Sequence, residues 1–162
     1  MTLIMILPKI FPVFALALVF HTASGQVCSG FHSSIYCKTP GEADYSLSGY
    51  SKSVLLDIKK AYQFSMTLAP GRDYLISVCC EPKFKPVKFR IIDIAMGTVI
   101  YDNREDNYME SIGFSVTQNP LNIIVEMTVM AKEVIQPKFD NETRSCAGLK
   151  VMYRIIGKQG LH

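Results

Sequence analysis

The sequence predicts an all-β domain, a single antiparallel β-sandwich of about seven or eight strands, on three observations. Apolar residues recur at every second position in most segments after Ser53, the spacing that sends alternate side chains to opposite faces of a strand. Turn-forming Pro, Gly and Asn punctuate these runs at intervals of roughly 10 to 15 residues. No segment beyond the N-terminal region sustains a helical period. A closed barrel would show the same alternation, so the pattern leaves sandwich and barrel both open.

Taken in order, Met1 to Gly25 reads as a secretory leader: Lys9 supplies the charge, Ile10 to Phe20 the apolar run, and Ala23-Ser24-Gly25 the small residues for cleavage. With Pro8, Lys9 and Pro12 interrupting it, the segment is too short for a transmembrane helix, and no stable membrane span is expected once it is removed. The remaining 26–162 is expected to be the sandwich domain, exported, and so secreted, periplasmic or displayed at the cell surface. Residues 26–53 are rich in Ser, Gly, Thr and Tyr and contain Pro40-Gly41, which predicts irregular structure tied down by Cys28 and Cys37, an N-terminal strand or strap.

The clearest strand is Ala61 to Leu68, in which Tyr62, Phe64, Met66 and Leu68 share one face. Pro70-Gly71 turns the chain into a second strand, Asp73 to Cys80. A basic loop between Pro82 and Pro86 leads to Val87–Ala95, Gly97 marks a turn, and Thr98–Asp102 returns. Asn103 to Asn107 reads as a polar loop before the strand Tyr108–Val116. After Asn119-Pro120, the longest alternating series, Leu121 to Val129, suits a central strand. Residues 136–145 read as an exposed loop containing the glycosylation sequon Asn141-Glu142-Thr143. The last strand is Leu149–Ile156, followed by a tail.

The 17 basic and 14 acidic residues are interleaved without a concentrated basic face, which argues against a nucleic-acid partner. Five cysteines in an exported chain predict disulfides and leave one thiol over, free or shared with another chain. Neighbouring strand residues face opposite ways, so the expected pairs are Cys28 with Cys37, and Cys146 with Cys79 or Cys80, preferably Cys80 on the inward face of Ile76 and Val78.

The series Tyr62-x-Phe64-x-Met66-x-Leu68-x-x-Gly71-x-x-Tyr74-x-Ile76-x-Val78, followed by Phe89-x-Ile91-x-Asp93-x-x-x-Gly97-x-Val99-x-Tyr101, resembles the bacterial pre-peptidase C-terminal type of domain. The resemblance runs over roughly 61–125. It implies a jelly-roll-like sandwich, secreted, usually attached to an enzyme and not itself catalytic. The family's calcium site does not carry over, because Lys88 and Arg90 stand where an acidic run is usual.

No residue pattern assembles known chemistry, and no cofactor is implied. Of the histidines beyond the leader, His32 lies in the strap and His162 ends the chain, neither well placed as a catalytic base. Asp102, Asp106 and Glu110 are weak candidates for a metal site or a hydrolytic carboxylate pair, with Glu105 between them, but their spacing matches no calcium loop. Lys83, Lys85, Lys88 and Arg90, interleaved with Phe84 and Phe89, read as gatekeepers flanking a strand edge or as a binding patch. Tyr36, Tyr45 and Tyr50 are candidates for stacking against a sugar. Together these imply a non-catalytic module that binds a protein or glycan, with Tyr45, Tyr50, Lys83, Phe84 and Lys85 as first candidates. A secreted hydrolase and a disulfide-linked structural subunit are the alternatives.

Overall fold

A computed structural model describes residues 27–131 and 143–157. The leader, Asn141 of the sequon and His162 lie outside the described residues. Among those described, nine strands form two antiparallel sheets: β1 (Ser46–Leu47), β2 (Lys52–Asp57), β3 (Ala61–Leu68), β4 (Arg72–Cys80), β5 (Val87–Asp93), β6 (Val99–Asp102), β7 (Ser111–Val116), β8 (Leu121–Val129) and β9 (Arg144–Ile155). One sheet runs β2-β9-β4-β7, with β1 also on β9, and the other runs β3-β8-β5-β6.

That order is a jelly roll, and its logic is visible in the pairing. β5 pairs β6, β4 pairs β7, β3 pairs β8 and β2 pairs β9, so the chain is one long hairpin wound into a sandwich. Its apex is the turn between β5 and β6. There Asp93 Oδ1 accepts hydrogen bonds from the Ala95 and Met96 N–H groups at 2.8 and 3.2 Å, the Gly97 N–H donates to the Asp93 carbonyl, and Gly97 adopts φ +66°.

Alternation fills the core. β4 sends Tyr74, Ile76, Val78 and Cys80 inward, β9 sends Ala147, Leu149 and Val151, and β8 meets them with Ile123, Val125, Met127 and Val129. Phe89 of β5 is fully buried, and each such side chain contributes about 2 kcal/mol of transfer free energy. The hairpin wind leaves β5 inside its sheet, between β8 and β6, so the flanking lysines do not guard an edge. Phe84, expected at the surface, is 6% exposed and belongs to the core, because the 3-10 turn Pro82–Phe84 rolls its ring under the sandwich while Lys83 and Lys85 stay in water.

The outer face of the β2-β9-β4-β7 sheet is covered by the strap. Cys28 is bonded to Cys146 of β9, and Cys37 to Cys79 of β4. Neither expected pair forms. Cys80 lies opposite Ala147 and points into the core, whereas Cys146 stands on the outer face with Gly148 and Lys150, so the two thiols are on opposite sides of one sheet. Cys80 is free and fully buried. The strap adds polar ties: the His32 N–H donates to Ser53 Oγ, Thr39 Oγ1 donates to the buried Ser77 Oγ, and Lys150 pairs with Glu42.

This seating requires Gly148. A Cβ there would lie 2.6 Å from Cys79 Sγ and 2.7 Å from the His32 Cα, and the latter is backbone that cannot turn away. Gly148→Ala should therefore lower stability by about 1 to 3 kcal/mol, and Phe84→Ala by about 3 to 5 kcal/mol. Gly113→Ala, whose Cβ meets nothing nearer than 3.7 Å, should change it by about 0.5 kcal/mol or less. Denaturant midpoints check all three. An unchanged midpoint for Gly148→Ala would mean that the strap does not lie where it is described.

Candidate functional site

The five residues singled out in the sequence do not gather in one place. Tyr45 is partly buried beneath Arg154, whose guanidinium lies 4.9 Å from its ring centroid, and Tyr50 sits in the exposed link between β1 and β2. Lys83 covers the Phe84 ring, and Lys85 pairs with Glu110 at 2.8 Å. Tyr45 neighbours the β9 segment that pairs with the start of β4, while Lys83 to Lys85 follow the end of β4. At strand rise the two groups stand about 25 Å apart.

The acidic candidates are likewise separated by their partners. Asp102 is buried, caps the 3-10 turn Asn103–Asp106 by accepting from the Arg104 N–H, and is paired with the Arg104 guanidinium. Asp106 accepts from the Tyr101 hydroxyl at 3.2 Å, and Glu110 is held by Lys85. Among the described residues no three His, Cys, Asp or Glu side chains come together as a metal site. His32 Nδ1 does lie 2.8 Å from Ser53 Oγ, but that hydroxyl also accepts from the His32 N–H. Among the described residues no acid is hydrogen-bonded to the ring, and the contact ties the strap to β2.

A different region has the character of a site. The β5–β6 hairpin presents Ile94, Met96, Val99 and Ile100 to solvent at 47, 74, 48 and 52% exposure. Four large apolar side chains on one hairpin tip form a patch of the kind that marks an interaction surface. It continues into a cleft of about 670 Å³ between β6 and β7, floored by Ile91, Ile112, Phe114 and Leu121. A second recess of about 360 Å³ on the other side of β6 shares Val99, Ile100 and Tyr101 and is bounded by Asp102, Glu105 and Asp106.

Two residues fix this geometry. Asn103 is fully buried: its Oδ1 accepts from the Phe89 N–H at 2.9 Å, and its Nδ2 donates to the Val87 and Met109 carbonyls. It nails the β6–β7 connection to β5. Tyr101 packs its ring at a tilt against Phe89 with centroids 5.3 Å apart, and burial together with Asp106 pushes its hydroxyl pKa up to about 12. It acts as a neutral donor, not as an acid.

Asn103 was legible only as loop, since an Asn among turn formers carries no mark of burial. The hairpin did carry a signal. Val99 and Ile100 are adjacent, and two consecutive apolar residues on one strand cannot both face the core.

No family model matches this chain, and no curated protein matches it. Among solved structures it is similar to Aeromonas hydrophila PliG, a periplasmic lysozyme inhibitor of g-type lysozyme, with 7% sequence identity and a TM-score of 0.44, covering 64% of this chain and 84% of that one.

The Arg104 hydrogen bonds hold the Asp102 carboxyl below the usual aspartate range, which gives the loop a defined acid response. A lowered folded-state value contributes stability above the unfolded aspartate pKa, and that contribution is lost as the pH falls through the folded one. Asp102→Asn keeps the capping oxygen and loses the ion pair, so it should be less stable than the parent at pH 7 by about 1 kcal/mol. The gap should close as the pH is lowered below the aspartate range. Thermal melts across pH check this, and a gap that persists unchanged at low pH would contradict it.

Proposed function

We propose that this chain is an extracytoplasmic binding module without catalytic activity, and that it takes a protein ligand on the β5–β6 hairpin and the adjoining cleft. The observation that carries the reading is the run of exposed Ile94, Met96, Val99 and Ile100, contiguous with an apolar cleft large enough to seat side chains of a partner. Two disulfides fastening the strap support an oxidising compartment, and a jelly roll pinned in that way is a rigid platform for such a surface.

A glycan ligand is less well matched. The exposed Tyr36 and Tyr50 lie in the strap and the β1–β2 link, away from the cleft, whose lining is mostly apolar. The hydrolase alternative requires paired acids with perturbed affinity for protons. Asp102, Asp106 and Glu110 instead each serve a separate neighbour, and Arg104 shifts Asp102 toward its charged form.

The reading is tested by placing a photo-crosslinking residue at Ile100 or, as a control, at Ser65 on β3 in the other exposed edge of the same sheet. A discrete protein adduct should form from the native surroundings at position 100 and not at 65, and Met96→Asp should abolish it with the melting temperature kept. Equal adducts at both positions would contradict the assignment. So would turnover of an ester, glycan or peptide that disappears in Asp102→Asn with Asp106→Asn.

A further inference from the structure

The cleft is walled by strand edges and not by sheet faces. Four consecutive residues of β7, Ile112 to Ser115, line it together with three consecutive residues of β6, Val99 to Tyr101. Side chains alternate along a strand, so a wall that contains every residue in turn is the backbone edge. Both strands are terminal in their sheets: β6 pairs only with β5, and β7 only with β4.

The register shows which groups on that edge are unused. Val78 N–H donates to the Glu110 carbonyl, so the pairs of the same parity, Ile112 with Ile76 and Phe114 with Tyr74, are the hydrogen-bonded ones. The N–H and C=O groups of Ser111, Gly113 and Ser115 then point away from β4, along the open edge. Gly113 carries no side chain, and a Cβ built there would make only ordinary contacts, with the Tyr74 carbonyl at 3.7 Å and Leu75 Cδ1 at 3.9 Å.

The charged residues that line this edge are acidic, with Arg104 close by and paired to Asp102. Neither the cleft nor the recess beside it is lined by any Lys, Arg or His, while Asp93, Asp102, Glu105 and Asp106 border them. Asp93 is committed to the hairpin turn and Asp102 to Arg104, while the exposed Glu105 and Asp106, the latter also accepting from the Tyr101 hydroxyl, can meet a cation.

We infer that the ligand is an extended polypeptide segment that adds to β7 as a further strand, with apolar side chains in the cleft and a Lys or Arg reaching Glu105 and Asp106. This rests on the binding-module reading and names the chemistry of its partner. Main-chain pairing with Ser111, Gly113 and Ser115 supplies affinity independent of sequence. The apolar cleft and the acidic recess supply preference, and the exposed hairpin side chains cover the added segment from outside.

Random linear peptides displayed and selected on the full chain test it. Enriched peptides should combine apolar residues with Lys or Arg, and their binding should weaken as salt is raised. Gly113→Pro removes an outward N–H, a change tolerated on an edge strand, and should weaken binding by about tenfold or more. Glu105→Gln with Asp106→Asn should weaken it by about threefold to tenfold. Should Gly113→Pro fail to fold, hydrogen exchange on the unaltered chain decides: the Gly113 amide must slow when peptide binds. Peptides that bind without protecting that amide, or a selection that enriches nothing, would overturn strand addition. If the Ile100 crosslink to a protein nevertheless persisted, the binding surface would stand and only the mode of pairing would fall.

Discussion

Much of this structure depends on how closely the N-terminal strap lies against β9 and β4. The strap crosses the outer face of a sheet whose inner face is already committed to the core, so the sheet is covered on both sides. Close approach needs a residue without a side chain at Gly148, where the strap backbone at His32 and both sulfurs of the Cys37–Cys79 bond converge. The second bond, Cys28–Cys146, closes a span of 118 residues, and in the chain-entropy view each of these long closures removes about 4 to 5 kcal/mol of freedom from the unfolded chain. Ser77, buried beneath the strap, is satisfied by Thr39 rather than left without a partner.

That arrangement also decides which surfaces remain for function. With the strap on one outer face, the opposite sheet presents a polar outer face on which Arg90 and Gln63 both bind Glu126, a satisfied network that offers little to a partner. Four of the exposed apolar side chains, Ile94, Met96, Val99 and Ile100, gather at the apex of the wound hairpin. The jelly-roll course places that apex, the β5–β6 turn, beside the open edge of β7 on the other sheet, and buried Asn103 ties the connection that follows β6 to β5. The cleft is thus a consequence of topology, and the residues that give it character are those the winding leaves outside.

The sequence was most informative where one period governs one strand. Ala61–Leu68 and Leu121–Val129 have the bounds read from their alternation, and they pair with each other along their length. β2 escaped notice because Leu55 and Leu56 interrupt the alternation, and β1 because two residues carry no period at all. The disulfides were misread for a physical reason: face assignment on β4 was sound, but nothing local says that Cys146 shares the outer face or that the strap spans β9 and β4. Phe84 was misjudged by its lysine neighbours, since a turn can bury one residue of a polar triplet. The candidate site lay in residues read as strand and loop, because apolar side chains in a strand suggest core until the sheet order makes them an edge.

The central claim, that a doubly fastened strap closes one face and leaves the β6–β7 side for binding, is tested most directly by disulfide mapping of the unreduced protein after alkylation under native conditions. The account predicts peptides joining Cys28 to Cys146 and Cys37 to Cys79, with Cys80 unlabelled until the chain is unfolded, because burial keeps its thiol inaccessible and pushes its pKa up to about 12. A Cys28–Cys37 peptide would free the strap from the sheet, and either that peptide or any bond to Cys80 would contradict the account.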